Sequence, residues 1–119
     1  EIRPVVSDWF DYDAKYKQDG AEEICPALIS PALTEKCQAI GLRAHLALGC
    51  EGMSRTDIII DDSGECFVVE TNTIPGFTRT SLLPQAALEA GVDYAGLVDM
   101  LIQEALSRSA RNGEPVRAG

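Results

Sequence analysis

Apolar residues recur at helical spacing in one part of this chain and alternate as in a strand in another, which predicts a mixed α/β fold. Ser30 followed by Pro31 is typical of an N-cap and the first helical residue, and a helix is predicted from there to Gly49. Its apolar positions are Leu33, Cys37, Ile40, Ala44 and Leu48. Two β-branched runs then flank the turn-like residues 62–65 and predict an antiparallel hairpin over about 54–72.

The remaining residues carry weaker patterns. The N-terminal residues read as an extended segment, and 13–29 show no clean period, which predicts a long loop. A short helix is predicted after Ser81, and Asp93 is placed to cap a longer one. The last residues lack a core pattern, so that about 1–108 are assigned to one domain and 109–119 to a disordered tail.

The length of the hairpin turn decides which side chains meet. With a two-residue loop at 63–64, Asp57 lies opposite Glu70. Arg55 likewise lies opposite Asn72, and directly opposed residues share one face of the sheet. The other face then carries Ile58, Ile60, Phe67 and Val69. A three-residue loop would instead pair Asp57 with Val69 and, without a compensating bulge, would separate the four polar residues.

The polar face of the hairpin allows two interpretations. Two carboxylates and an amide oxygen, from Asp57, Glu70 and Asn72, are hard oxygen ligands of the kind that Mg²⁺ takes. Arg55 beside them would stabilise negative charge that develops in a transition state. The alternative is an ordinary solvated face of a half-buried hairpin, in which Arg55 is an ion-pair partner.

Five further residues are candidates for contact with an anion. The Gly76 N–H, beside a proline, would donate to an oxyanion, or Gly76 simply forms a turn. Ser81 and Leu82 open a helix and present a hydroxyl and an amide to an anion, although capping alone also explains Ser81. Lys15 and Tyr16 lie in the predicted loop, where they would meet a phosphate and a polar group or remain exposed.

Composition excludes several classes of function. The chain has 119 residues and a formal net charge of −9, with its ten basic residues scattered, which argues against a nucleic-acid partner. No apolar run approaches the roughly 20 residues of a membrane span. The four cysteines form no CxxC pair and only His45 accompanies them, which argues against zinc and for buried thiols in the cytoplasm.

Two stretches resemble the D-alanine–D-alanine ligase family of the ATP-grasp fold. RTD at 55–57, followed by ETNTIPGFTRTSLLP at 70–84, is similar to the C-terminal signature of that family. FDYDAKY at 10–16 resembles its mobile loop over the active site, which places that loop at about 11–29. The resemblance covers about 1–107 and implies an α/β (α+β) fold, the C-terminal half of an ATP-grasp domain, with an antiparallel sheet and packed helices.

The resemblance also implies roles for the candidate residues. Asp57, Glu70 and Asn72 would bind two Mg²⁺ ions, or Mn²⁺ in their place, that bridge the phosphates of ATP. Arg55 and the Gly76 amide would stabilise the tetrahedral intermediate. Ser81 and the Leu82 amide would hold the carboxylate of the second D-alanine. Lys15 would reach the transferred phosphate, and Tyr16 would help close the loop over the site. The reaction implied is ATP-dependent joining of two D-alanines through an acyl phosphate, for peptidoglycan precursors of the cell wall.

The resemblance equally implies that much of the enzyme is missing. No glycine-rich phosphate loop occurs in this sequence, and the chain begins at Glu1 inside a strand-like segment. It is therefore expected to be about a third of a cytoplasmic ligase, inactive without the N-terminal and central parts, and to self-associate or form a homodimer through uncovered apolar surface. The alternatives are a D-alanine–D-lactate or D-alanine–D-serine ligase, another ATP-grasp carboxylate–amine ligase, or a non-catalytic folded remnant.

Overall fold

The computed structural model describes residues 1–4 and 21–112, which contain both helices and antiparallel strands. The elements in chain order are β1 (Ile2–Pro4), β2 (Ala21–Glu23), α1 (Pro31–Ala47), β3 (Arg55–Ile60), β4 (Cys66–Asn72), α2 (Leu82–Glu89) and α3 (Tyr94–Asn112). In the described residues β1 pairs with β2 and β3 with β4, each pair being antiparallel. The predicted combination of antiparallel strands with packed helices is confirmed.

The two long helices begin at the predicted caps. The Ser30 hydroxyl accepts a hydrogen bond from the Leu33 N–H at 3.3 Å, and α1 starts at the following proline. The Asp93 carboxylate accepts from the Gly96 N–H at 2.7 Å, which satisfies a donor in the first turn of α3. Gly49, just beyond α1, has a φ of +64°, a left-handed conformation that glycine adopts readily.

The predicted loop at about 11–29 is too long at its C-terminal end, because Ala21–Glu23 form β2. This strand pairs with β1, so that Ile2 lies opposite Glu23. The partner is about twenty residues away in sequence, and a local hydrophobic pattern carries no signal for such a pairing. Residues 5–20 lie outside the described part of the chain.

The hairpin turn differs from the two-residue loop predicted at 63–64. The Asp61 N–H donates to the Glu65 carbonyl at 2.9 Å, and the loop between them has three residues, ending at Gly64 with a φ of +81°. The Asp61 carboxylate accepts from the backbone N–H groups of Ser63 and Glu65, each at 2.9 Å. These bonds lower the pKa of the Asp61 carboxyl, the hydrogen bond from the Ser63 side chain being the largest cause.

A β-bulge compensates for the longer turn. Ile58 lies opposite Val68, yet Asp57 lies opposite Glu70, so Val69 is the extra residue on β4. Arg55 is therefore paired with Asn72, and Asp57 with Glu70, as predicted. The two-residue turn from which these pairs were predicted was wrong.

The bulge changes which apolar residues share a face. Ile59 lies opposite Phe67, and by alternation both lie on the same face as Arg55 and Asp57. The prediction that Phe67 lies on the same face as Ile58 and Ile60 is therefore wrong, because the bulge reverses the alternation of β4 on its turn side. Val69 is the unpaired residue of the bulge itself. We call the side with Thr56, Ile58, Ile60, Cys66, Val68 and Thr71 the packing face, and the side with Arg55, Asp57, Ile59, Phe67, Glu70 and Asn72 the polar face.

The packing face rests on α1, which contacts both β3 and β4. Lys36 on α1 donates to the Gly64 carbonyl at 2.8 Å, and the His45 ring contacts the Ser54 hydroxyl at 2.8 Å. The contact of His45 connects α1 to the segment that precedes β3. At the other end of the molecule, Arg108 of α3 pairs with Glu51 at 2.9 Å, which attaches α3 to the segment between α1 and β3.

The described residues leave much apolar surface uncovered. No large side chain among them is fully buried, and Ile59, Phe67, Val69 and Leu46 are each more than half exposed. Cys25 is exposed as well, which corrects the prediction that all four thiols are buried; the other three are half-buried.

The last described helix extends beyond the predicted domain boundary at 108. It continues to Asn112, and residues 113–119 lie outside the described part. No helix in the described ranges is long and apolar enough to cross a membrane.

Candidate functional site

The polar end of the β3–β4 hairpin brings together a guanidinium and two carboxylates. The Arg55 Nε donates to Asp57 Oδ1 at 2.8 Å, and its Nη2 donates to Oδ2 at 3.1 Å, so the contact is bidentate. Arg55 Nη2 also lies 4.0 Å from Glu70 Oε1 across the strand pair. Arg55 and Asp57 are each about one-third exposed, with side-chain values of 30% and 32%, and are therefore open to a ligand.

Electrostatics keep Arg55 charged. Its hydrogen bond to Asp57 raises the pKa of the guanidinium, and the charges of Asp57, Glu70 and Glu23 raise it further. Glu23 belongs to β2, so the small β1–β2 sheet brings a third carboxylate within electrostatic range of Arg55. The sequence pattern did not single out Glu23, because its place depends on the non-local pairing of β2.

The amide of Asn72 completes this end of the hairpin. Its Oδ1 accepts a hydrogen bond from the Ile74 N–H at 2.9 Å, which turns the chain at the end of β4. An amide oxygen has two lone pairs, so one remains available to a cation. Asp57, Glu70 and Asn72 thus offer oxygen atoms from two paired strands, a donor set that fits Mg²⁺ or Mn²⁺.

No group of three or more His, Cys, Asp or Glu side chains in the described ranges is placed to hold a metal ion. The predicted site has two such side chains, and the third member is the amide of Asn72. The bidentate contact to Arg55 occupies both oxygens of Asp57, so a cation there would have to share Asp57 with the guanidinium.

The segment between β4 and α2 is organised by hydroxyl groups. The Ser81 Oγ accepts from the Thr78 N–H at 3.0 Å and contacts the Thr78 hydroxyl at 2.8 Å. Ser81 is the N-cap residue of α2, but its side chain makes no capping hydrogen bond. The Ser81 hydroxyl therefore does not cap α2, which was the alternative interpretation of this residue. It makes its hydrogen bonds within the loop instead.

Gly76 lies against the same hydroxyl. A Cβ placed on Gly76 would come within 3.0 Å of Ser81 Oγ, so the absence of a side chain allows the close approach. Leu82 is the first residue of α2, where backbone N–H groups have no partner within the helix. The loop thus places Gly76, Ser81 and the start of α2 side by side.

Three residues that the sequence reasoning did not consider hold this loop in place. Tyr94 Oη donates to the Phe77 carbonyl at 2.8 Å, and the two rings lie 5.4 Å apart. The Arg79 guanidinium lies 4.8 Å from the centre of the Tyr94 ring. Gln85 Nε2 donates to the Thr80 carbonyl at 2.7 Å. Of these, only Tyr94 had a sequence signal, as an aromatic residue directly after the Asp93 cap.

Two of the predicted site residues are not placed. Lys15 and Tyr16 lie outside the described residues. The structure brings Arg55, Asp57, Glu70 and Asn72 together at one end of the hairpin, and Gly76, Ser81 and Leu82 together in the loop that follows β4.

The sequence matches one family model over most of its length. Residues 1–103 match the model described as "D-ala D-ala ligase C-terminus". A protein named D-alanine--D-alanine ligase from Desulfotalea psychrophila is 52% identical over 101 residues, which are 85% of this chain and 31% of that protein. The chain therefore spans about a third of the length of the curated relatives it matches.

Solved structures share the fold. A D-alanine--D-alanine ligase from Bacillus anthracis superimposes with a TM-score of 0.76 at 35% identity, covering 93% of this chain and 36% of that one. Its complex with ATP gives a TM-score of 0.65 at 36% identity, over 75% of this chain and 30% of that one. The VanG D-Ala:D-Ser ligase from Enterococcus faecalis gives 0.73 at 35% identity, over 87% and 29%.

Proposed function

This chain belongs to the D-ala D-ala ligase C-terminus family, and we propose that it is the C-terminal part of an ATP-dependent ligase that joins two D-alanines. The reaction begins with phosphoryl transfer from ATP to the carboxylate of one D-alanine. The amine of the second D-alanine then attacks the acyl phosphate and releases phosphate. The product is a dipeptide for peptidoglycan precursors, made in the cytoplasm.

The observation that carries the proposal is the charged end of the hairpin. A half-buried arginine is held between two carboxylates, beside an amide oxygen, on two paired strands. Phosphoryl transfer is governed by positioning and by neutralisation of charge on the phosphate oxygens. This set of side chains offers one guanidinium and the oxygen ligands of metal ions that would neutralise that charge.

Asp57, Glu70 and Asn72 are the residues that would hold the metal ions. When bound, Mg²⁺ or Mn²⁺ would neutralise the phosphates of ATP and fix their orientation. One third of the side chain of Asp57 and about half of that of Glu70 face solvent, so the oxygens are reachable without unfolding the hairpin.

Arg55 and Gly76 would stabilise negative charge during attack by the amine. Arg55 remains cationic, because its hydrogen bond to Asp57 raises the pKa of the guanidinium. Ser81 and the Leu82 amide would hold the carboxylate of the second D-alanine at the start of α2. Lys15 would reach the transferred phosphate, and Tyr16 would help close the loop over the site.

The exposed apolar residues support the view that this chain is covered by other parts of the ligase. Ile59 is 61% exposed and Phe67 55% exposed, on the same face as the charged residues. The remaining two-thirds of the protein would cover such surface. Without them, the isolated chain is expected to self-associate through it and to turn over no ATP.

The similar solved structures are named for different acceptors. The similarity to a D-Ala:D-Ser ligase is close to the similarity to D-alanine--D-alanine ligases, with TM-scores of 0.73 and 0.76. D-Alanine is favoured as the acceptor, because the Desulfotalea psychrophila protein that is 52% identical to this chain is named D-alanine--D-alanine ligase. Assays with D-alanine, D-serine and D-lactate side by side distinguish the three acceptors.

A chimera tests the proposal directly. The matched 31% of the Desulfotalea psychrophila ligase is replaced by the matched part of this chain, and phosphate release from ATP is measured with D-alanine. We expect D-alanine-dependent release in the chimera and none from the 119-residue chain alone. Loss of turnover in a chimera that remains folded by circular dichroism would support the non-catalytic remnant instead.

A further inference from the structure

The thiols of Cys37 and Cys66 lie side by side between α1 and β4. Their Sγ atoms are 3.9 Å apart, and the residues are 29 positions apart in sequence. Cys37 lies in the middle of α1, and Cys66 begins β4 opposite Ile60. The packing of the helix on the hairpin, rather than local sequence, creates this thiol pair.

The two sulfur atoms have to come closer for a bond to form. A disulfide has an S–S length of about 2.05 Å, so the two sulfur atoms would approach by a total of about 1.9 Å. Both residues are half-buried rather than enclosed. The ion pair of Lys36 with Glu65 and its hydrogen bond to the Gly64 carbonyl attach α1 to the turn beside the pair.

An open cavity gives reagents access to Cys66. It has a volume of about 420 Å³ and lies between α1 and the packing face. Its lining is Ile40, Arg43, Ala44, Ala47, Cys66 and Val68. Arg43 is the charged residue in this lining, and its guanidinium would attract a small molecule that carries carboxylates.

The two thiols differ in their surroundings. Burial raises the pKa of the Cys37 thiol, and its contact with Cys66 raises it further, while Lys36 acts in the opposite direction. A thiol with a raised pKa forms little thiolate and reacts slowly. Cys66 borders the cavity, whereas Cys37 does not line it.

We propose that Cys37 and Cys66 form a reversible modification site for low-molecular-weight disulfides that carry carboxylates, of the glutathione disulfide class. The Cys66 thiolate attacks one sulfur of the reagent, forms a mixed disulfide and releases one thiolate. The Cys37 thiolate then attacks Cys66 Sγ, closes the Cys37–Cys66 bond and releases the second. Two protein thiols are oxidised and the reagent is reduced to two thiols, so protons and electrons balance.

The bond would fasten α1 to the strand that carries Glu70 and Asn72. Cys66 and Glu70 lie on opposite faces of β4, so the modification would leave the charged end of the hairpin open. This inference does not depend on the proposed ligase activity.

Intact-mass spectrometry tests the proposal on the 119-residue chain. A Cys25→Ser variant, which lacks the exposed thiol, is incubated with glutathione disulfide, quenched in acid and alkylated. We expect a product lighter by two hydrogens before alkylation, with one remaining thiol labelled at Cys50. Proteolysis should yield a fragment that links Cys37 to Cys66, and dithiothreitol should restore the reduced chain.

Single substitutions test the order of attack. In Cys37→Ser, the glutathione adduct should persist on Cys66, and Cys37→Ala repeats this test with an apolar replacement. In Cys66→Ser, Cys37 should stay reduced. Cys50→Ser is the matched control and should still form the Cys37–Cys66 bond. A link that involves Cys50, or a thiol pair that stays reduced while Cys25 of the unaltered chain is modified, would overturn the proposal.

Discussion

The packing face and the polar face of the β3–β4 hairpin each carry six paired residues but meet different surroundings. On the packing face, Ile58 and Ile60 are half-buried against α1. On the polar face, the equivalent Ile59 is 61% exposed and stands beside a bidentate arginine–carboxylate pair. If the proposal is right, this difference arises because the polar face meets a ligand and another part of the ligase, whereas the packing face meets α1.

Among substitutions on the two faces, we expect the largest effect on activity at Arg55 of the polar face. In the chimera, Arg55→Gln should lower the rate of D-alanine-dependent phosphate release by about 10²–10³-fold, because a charge that stabilises the transition state is lost. The free energy of unfolding should change by less than about 1 kcal/mol, since the ion pair is one-third exposed. If the loss of rate came with a loss of folding stability large enough to explain it, Arg55 would have a structural role only. Steady-state kinetics and urea unfolding separate the two results.

Two glycines allow a matched comparison: Gly76 lies in the loop after β4, and Gly41 lies on α1 beside the packing face. Gly76→Ala brings a Cβ within 3.0 Å of Ser81 Oγ, so Ser81 must shift, and the KM of the chimera for the acceptor should rise by up to about 10²-fold. Gly41→Ala on α1 brings its Cβ only to 4.0 Å from the Thr56 Cβ, an ordinary contact. That control should leave KM unchanged and stabilise the chain by about 0.5–1 kcal/mol through helix propensity. An unchanged KM in Gly76→Ala would show that the close approach of Gly76 to Ser81 is not needed for acceptor binding.

A matched isoleucine pair compares the faces in the isolated chain. Ile58→Ala should lower the free energy of unfolding by about 1–2 kcal/mol, because it removes contacts with α1 from a half-buried position. Ile59→Ala, next to it on the exposed side, should change the same quantity by less than about 0.5 kcal/mol. Urea unfolding measures both. If Ile59→Ala were the more costly, the assignment of faces around the bulge would be wrong.

The smallest effect should come from the turn that sets the register. Hydrogen bonds lower the pKa of Asp61 below its ordinary value of 3.8, so its contribution to stability is present above that value and is lost as the pH falls through the folded pKa. Asp61→Ala should therefore lower the urea midpoint modestly at pH 7. The difference from the unaltered chain should shrink below pH 3.8. A difference that grew as the pH fell would contradict the hydrogen-bonding role of the ionised carboxylate.

The comparison also explains what the sequence could and could not predict. Arg55, Asp57, Glu70 and Asn72 are brought together as predicted, but through a three-residue turn and a bulge at Val69 whose shifts cancel. Residue type distinguishes poorly between these registers, since Gly64 suits either turn. The face of Phe67 was predicted wrongly for the same reason, because the sequence carried no signal for the bulge.

Helix caps could be predicted from the sequence, whereas pairings between distant strands could not. Ser30 and Asp93 each accept a hydrogen bond from an N–H three residues away, and local sequence was enough to predict both caps. The β1–β2 pairing and the place of Glu23 depend on residues distant in sequence. The support of the Ser81 loop by Tyr94 likewise arises only once α3 packs beside it.

One paired measurement in the chimera tests the central claim, that the polar face is a metal–phosphate platform. Asp57→Asn removes a carboxylate from that face, and Asp62→Asn removes one from the exposed turn of the same hairpin. We predict that Asp57→Asn lowers D-alanine-dependent phosphate release by at least about 10²-fold with an unfolding midpoint close to that of the unaltered chimera. Asp62→Asn should retain full activity. Activity within twofold of the unaltered chimera in Asp57→Asn, or an equal loss in Asp62→Asn, would contradict the account.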